Sequence, residues 1–558
     1  MKIAVVAPMI DVQEHNMNYR LRLKATDREL TLKYLYELFR AGLDPTAVPR
    51  DFSYEEGIIP AAGYYLEGAL RAEGYETTLT NRTDQASLEV LAAWSPRVVC
   101  LSSTMILSRT TLIELVRRIR AAMPDVYLVV GGVFVWKAYL WRLACRDRPG
   151  TPDDARIDCA VFPACRSEIE VDAFVVAPHG MDSLLALLTA LDAGSRADTS
   201  RVANLALPDA QGHFIFTERV HEAVDYDEVM TRWDLLDALP ARVPIRTSVG
   251  CPFPCAYCDF PRLFGPRAVL RSPQSLAREL QLVAEARRLG KGKPVMLHLT
   301  DDNVFINERR VQQVCDTIIE SKLRLFWSSF MRAASVTPDN IELLKRSGLV
   351  LPFVGVESGD QGQLDRMQKR QRAERARDAI ELMDAHGIAS VLTFIVGYPG
   401  ENERTVRSTI DFLNALRVSS AMYLLFPLNI MPLSELTSPA LREKWGIEGL
   451  GGRWSHRTMD SAGAIDACHT IFRGVDKLPY DYEEESTMYN RRFDPTTRKT
   501  LFHLRHSLTV QVLDGAPAAD VGRSLGALGE ALGLGGTVDP AAHASQVVLP
   551  RTMPRGYG

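Results

Sequence analysis

The chain has 558 residues, with 65 Lys and Arg against 69 Asp and Glu for a formal net charge of −4; 46% of residues are hydrophobic and 24% charged. That length suits three or four domains, the charge lacks the cationic excess of a nucleic-acid binder, and the apolar content excludes a disordered chain. Nine cysteines, an odd number with three of them between 251 and 258, exclude a disulfide framework and point to a reducing compartment and a cofactor.

Residues 1–8 lead directly into a strand pattern with no apolar signal core. The longest greasy stretch, 126–136, is about half of what a membrane span requires, so the expectation is a soluble, cytoplasmic protein with no membrane partner. Residues 2–7 read as a buried strand, followed by a long polar insertion over 11–54. Then come helix 61–73, strands 76–80 and 98–102, helix 110–123, and strand 126–130 ending in two glycines. Strand 173–176 and helix 183–191 complete the series. Strands alternating with helices predict a doubly wound parallel sheet over residues 1–200, an α/β unit of Rossmann-like class. Ligands of such sheets bind at the carboxyl ends of the strands. Those ends carry Ser102, Ser103 and Thr104, then Gly131, Gly132 and Val133, then Ala177, Pro178, His179 and Gly180. Small residues let a large flat or phosphate-bearing ligand approach the backbone, and they equally make the tight βα turns that any such sheet needs.

Residues 201–240 read as a connector with a hairpin at 209–212 and prolines at 240 and 244. A second series begins at 241. Its strands are expected at 245–249, 295–300, 324–329, 350–357, 390–396 and 421–426, with helices at 273–289, 308–320, 338–346, 374–386 and 403–416. Six βα units before residue 430 make a partial (β/α)6 barrel whose active face is the C-terminal end of its strands. Residues 431–558 form a smaller, mostly helical cap or substrate domain containing Trp454 and His456, with a Gly- and Ala-rich tail from about 514.

The first barrel strand runs into Cys251, Cys255 and Cys258 at CxxxCxxC spacing. One loop thereby wraps three thiolates around a common centre. Structural zinc takes four ligands, and the next candidates, His298 and Cys315, are far along the chain. A four-iron cluster also takes four ligands, and holding it by three leaves one iron open for a substrate. Later strand ends carry Asp301 and Asp302, then Glu357, then Gly397, Tyr398, Pro399 and Gly400. Singly these are ordinary caps and turns. Their shared position at strand ends gives them weight together.

With these motifs the chain resembles the radical S-adenosylmethionine (SAM) superfamily. The Rossmann-like domain upstream makes it similar to the cobalamin-dependent radical SAM methyltransferase family, a likeness covering roughly residues 1–427. The resemblance implies a 4Fe-4S cluster on Cys251, Cys255 and Cys258 with SAM on its open iron. Tyr257, Asp301, Asp302, Glu357, Gly397 and Tyr398 are then the SAM-binding residues. Ser102, Ser103, Thr104, Gly131, Gly132, Val133, Ala177 and Gly180 are the cobalamin-binding ones. No Asp-x-His-x-x-Gly sequence is present, which implies base-off cobalamin without a histidine ligand from that loop. His179 reads as a solvent-exposed turn histidine rather than a metal ligand.

The implied activity is methyl transfer from SAM by way of methylcobalamin to a carbon of a small-molecule natural-product precursor, as in antibiotic biosynthesis, with a reductant as electron donor. Overall architecture and size suggest the members that methylate C2 of tryptophan in thiopeptide biosynthesis; Trp454 and His456 are candidate contacts for such an aromatic substrate, although a Trp in a cap is more often core packing. No catalytic residue is assigned. A non-methylating rearrangement or cyclisation would share every motif, whereas a cobalamin-binding sensor would need only the first domain.

Overall fold

Two parallel sheets account for the two series of alternating strands and helices. The computed structural model describes residues 1–8, 17, 21, 23–25, 28–29, 38–40, 60–146, 160–162, 166–194, 196–288, 294–480, 494–534 and 547–548. Most of the polar insertion expected at 11–54, and most of the tail after 534, lies outside them.

The first unit runs β1 (Lys2–Val6), α1 (Ala61–Ala72), β2 (Glu76–Thr80), α2 (Gln85–Ala93), β3 (Val98–Ser102), α3 (Arg109–Ala122), β4 (Tyr127–Gly131), α4 (Val133–Arg146), β5 (Ala173–Val175), α5 (Met181–Asp192), β6 (Leu205–Pro208) and β7 (Phe214–Phe216). Its sheet order is β2-β1-β3-β4-β5-β6-β7. The first five strands are parallel. Alternate residues of β1 serve opposite faces: Ile3 and Val5 meet Leu70 of α1 and Leu187 of α5. Ala4 and Val6 meet Leu88, Leu112 and Val116 of α2 and α3. The strand order reverses between β1 and β3, which opens the crevice of a doubly wound sheet at their carboxyl ends. The hairpin expected at 209–212 forms, with the Asp209 carboxylate accepting from the amides of Gln211 (2.9 Å) and His213 (2.8 Å). It does not sit in a free connector, because β6 pairs antiparallel with β5 and β7 with β6, extending the first sheet.

The second unit runs β8 (Arg242–Ile245), β9 (Ser248–Val249), α6 (Phe260–Leu263), β10 (Val269–Leu270), α7 (Pro273–Arg288), β11 (Val295–Leu299), α8 (Glu308–Glu320), β12 (Leu325–Arg332), α9 (Ile341–Arg346), β13 (Phe353–Glu357), α10 (Gln361–Arg366), α11 (Ala373–Ala385), β14 (Val391–Val396), α12 (Glu403–Ala415) and β15 (Met422–Pro427). Strands β8, β11, β12, β13, β14 and β15 lie side by side in that order, all parallel. Helices cover one face: Leu280, Val314, Ile380 and Ile410 share a buried cluster with Leu297, Trp327, Val354 and Phe394. This is the expected partial barrel. The strand expected at 245–249 is divided, because the amides of Thr247 and Ser248 donate to the Asp301 carboxylate instead of to a neighbouring strand.

Beyond the barrel follow α13 (Pro439–Trp445), β16 (Glu448–Leu450), β17 (Arg453–His456), β18 (Met459–Asp460), α14 (Ser461–Gly474), β19 (Leu478–Pro479), α15 (Pro495–Leu513) and α16 (Ala518–Ala531). Strand β19 joins the barrel sheet beside β15. Helices α15 and α16 share a core with Leu23, Leu38 and Phe39 of the N-terminal insertion, and residues 24–25 pair with 547–548. The C-terminal unit is thus completed by the start of the chain. Among the described residues no helix is long and apolar enough to cross a membrane.

Candidate active site

The cysteine loop leaves β9 through Gly250, whose φ of +83° disfavours any side chain. The Gly250 amide donates to Asp302 Oδ2 at 2.9 Å, and Asp302 also pairs with Arg246 at 3.3 Å. Asp301 accepts from the Thr247 amide and hydroxyl and the Ser248 hydroxyl, each at 2.8 Å, and from the Ser248 amide. Four donors saturate this buried carboxylate. Asp301, expected among the SAM-binding residues, holds the turn that launches the loop. Farther on, the Ala256 amide donates to Met367 O (2.9 Å) and the Leu436 amide to Ala256 O (3.3 Å). The loop is pinned from both sides. Backbone amides of Phe253 and Phe260 face the thiols of Cys251 and Cys258, while burial pushes both thiols above their ordinary range.

Three charged side chains surround the loop. Arg332, at the end of β12 and 7% exposed, lies over the Phe253 ring at 4.2 Å and reaches Cys255 Sγ at 3.7 Å. Its other nitrogen donates to the carbonyls of Lys369 and Arg370. Those carbonyls are presented by a turn with positive φ at both Gln368 (+53°) and Arg370 (+49°), the kind of local strain that collects at functional sites. Lys369 is buried on Glu357 at 2.6 Å, and the Tyr257 hydroxyl lies 3.1 Å from Glu357 and 3.2 Å from Lys369. Glu357 has φ +70° where the β13–β14 register shifts. A Cβ on Gly355 would stand 2.6 Å from the Glu357 carboxylate and 2.7 Å from the Lys369 ammonium, so a larger residue there would push this pair aside. Below Arg332, His298 hydrogen-bonds Ser328 Oγ at 2.8 Å and meets Phe330 and Phe353 edge-on. Burial lowers its pKa to about 3, leaving the ring neutral. Arg332 and Lys369 escaped the sequence reading because neither belongs to a local motif, and His298 entered it only as a distant zinc candidate.

At the end of β14, Gly397 has φ +96° and its amide donates to Glu401 at 2.6 Å. A Cβ there would lie 2.6 Å from Ala464 and 2.8 Å from Trp454. Tyr398 is 2% exposed with its hydroxyl on Arg366 O. Trp454 and His456 stack 4.9 Å apart, the indole donating to Leu428 O (2.7 Å) and the imidazole bonded to Gly397 O (2.9 Å). These side chains buttress the strand end. Trp454 and His456, expected as substrate contacts, and Tyr398, expected among the SAM-binding residues, are all buried here.

The first sheet's strand ends interlock. Ser103 bonds Gly131 O through its amide (2.7 Å) and hydroxyl (2.8 Å), and Ser102 Oγ bonds Thr104 Oγ1 at 3.1 Å. Gly132, with φ +108°, has no room for a Cβ because the Thr104 hydroxyl would stand 2.9 Å from it. Thr104, Gly131, Gly132 and Val133 stay part-exposed at this edge. The Ala177 and Gly180 end differs. The Glu222 carboxylate accepts from the Gly180 amide at 2.7 Å and the Ser183 hydroxyl at 2.7 Å, so an anion already fills the start of α5 and a phosphate is repelled. His179 is wedged between Tyr65 and Tyr226, not solvent-exposed as expected.

Helix α4, which begins at Val133 beside Gly132, lies against the cysteine loop. Trp136 Nε1 donates to Leu263 O at 3.0 Å, and Lys137 pairs with Asp259, the residue after Cys258, at 2.9 Å. The two strand-end faces are thus joined through one helix. Residues 245–413 match the family model of the radical SAM superfamily. The barrel is a radical SAM domain. Sequence relatives include an anaerobic magnesium-protoporphyrin IX monomethyl ester cyclase of Rubrivivax gelatinosus, 24% identical over 369 residues, 63% of this chain and 61% of that protein. A bacteriochlorophyllide d C-12(1)-methyltransferase of Chlorobaculum tepidum is 28% identical over 183 residues, 32% of this chain and 39% of that protein. The chain thus spans less than two thirds of either relative. The fold is similar to that of the cobalamin-dependent SAM radical enzyme OxsB, solved with aqua-cobalamin and SAM bound, at TM-score 0.54 and 15% identity over 98% of this chain and 79% of that one.

A radical SAM domain works with a 4Fe-4S cluster and SAM, and the cysteine loop fits the cluster. Its thiols are backed by amide donors and a guanidinium, which stabilise thiolates. Among the described residues no three His, Cys, Asp or Glu side chains converge on a single-ion site.

Proposed function

We propose that the chain is a cobalamin-dependent radical SAM methyltransferase acting on a carbon of a small molecule. The reading is carried by one observation: α4 starts at the part-exposed Gly131 and Gly132 edge and meets Asp259, directly after Cys258, through Lys137, and α6 just beyond it through Trp136. A ligand over the first sheet and a cluster at the barrel mouth would be held across one cleft. Cysteines 251, 255 and 258 would hold the cluster. Tyr257, Asp302, Glu357 and the Gly397 backbone would surround SAM, and Thr104, Gly131, Gly132 and Val133 would receive cobalamin. When bound, cobalamin supplies a metal that accepts and delivers a methyl group, and the cluster supplies electrons. The chain's own part is positioning and exclusion of water. Lys369 and Arg332 bring positive charge to the barrel mouth, Gly250 and Asp302 fix the loop, and the neutral His298 with Phe330 and Phe353 forms an apolar inner wall for substrate.

Support for methyl transfer comes from the methyltransferase relative. A second reading, cyclisation or rearrangement without methyl transfer, is favoured by the cyclase relative. Anaerobically purified protein, reconstituted with iron, sulfide and cobalamin and given a reductant, SAM and a substrate panel that includes tryptophan, separates the two. One S-adenosylhomocysteine per product supports methyl transfer, and product without it supports the second reading.

A further inference from the structure

We infer that Lys137 is a positioning residue that sets the electrostatic environment of the cluster from the other domain. Asp259 directly follows Cys258, its side chain is 4% exposed, and the Lys137 ammonium, 10% exposed, stands 2.9 Å from its Oδ2. That oxygen has no aligned hydrogen-bond donor, so charge rather than directional bonding joins the two. The third neighbour is apolar and weakly accepting: Met431 Sδ lies 3.6 Å from the ammonium. Among the described residues no other carboxylate pairs with Lys137 and no other cation with Asp259. The pair spans α4, the cysteine loop and the segment after β15.

An ion pair sealed from water is poorly screened, and removing one partner leaves an uncompensated charge. Here that charge would sit one residue from a cluster ligand, where cluster potentials respond to local charge and burial. A lone Asp259 carboxylate opposes adding an electron to the cluster, and a lone Lys137 ammonium favours it. Lys137 also ties the helix that starts at the glycine edge of the first sheet to the residue after Cys258, alongside the Trp136–Leu263 hydrogen bond. The inference rests on the proposed cluster but not on methyl transfer.

The test is an EPR-monitored redox titration of the reconstituted cluster. Lys137→Met should shift the midpoint to lower potential, Asp259→Asn to higher, and the double variant should return toward the parent value, with Lys137→Arg close to it. Equal melting losses in both single variants with no shift in potential would reduce the pair to a structural clamp and overturn the inference. If Lys137→Met fails to fold, Asp259→Asn and the double variant still decide the sign. Failure of the parent protein to assemble any cluster would instead refute the proposed function.

Discussion

The barrel mouth and the first-sheet mouth are built by opposite means. At the barrel mouth, Arg332, Lys369, Glu357 and Tyr257 form a buried charged lattice around the cysteine loop. At the first sheet the part-exposed surface is Thr104, Gly131, Gly132 and Val133, knit together by hydroxyls and backbone groups. A small charged ligand needs fixed counter-charges, whereas a large, flat one needs close backbone approach. The comparison teaches that substitutions at the two faces should have separable consequences.

The largest separation is expected from Cys255→Ala, which should abolish cluster iron and sulfide and all turnover while cobalamin stays bound, read from metal analysis and the visible spectrum. Retained turnover would break the division. Next, Lys369→Met strands the Glu357 carboxylate in a buried site and should cost about 3–5 kcal/mol in urea unfolding. The double variant with Glu357→Gln should regain much of that loss.

Glu401 gives a pH test of the barrel mouth. Burial raises its carboxyl from 4.5 to about 7, so the fold favours the protonated form. Its contribution to stability is complete below the unfolded value and is lost as pH rises through about 7, a change on the order of 3 kcal/mol. Unfolding measured between pH 5 and 8 should show that decline in the parent and a flatter profile in Glu401→Gln. The smallest effect is at the first sheet. Gly132→Ala forces a Cβ against Thr104 at positive φ and should cost about 1–3 kcal/mol, weakening cobalamin binding in a spectroscopic titration without changing cluster content.

Much of this was legible in sequence where the signal is local. Strand β14 and the turn at Gly397 follow from an apolar run and a glycine-rich end, and CxxxCxxC needed no structure. Contacts between distant segments left no such trace. Arg332 sits 74 residues after Cys258 on an apolar strand and declares itself only through Cys255 Sγ. Trp454 by type suits both core packing and an aromatic substrate contact, and only the structure shows its ring packed on Gly397 and His456. The pairing of residues 24–25 with 547–548 joins opposite ends of the chain and has no periodicity to reveal it.

The most direct test of the central claim is product mass spectrometry after anaerobic incubation of the reconstituted protein with methyl-deuterated SAM, with and without cobalamin. The account predicts a product that carries all three deuterium atoms of one methyl group and forms only with cobalamin. Substrate converted without deuterium, or an equal yield of labelled product in the absence of cobalamin, would contradict it.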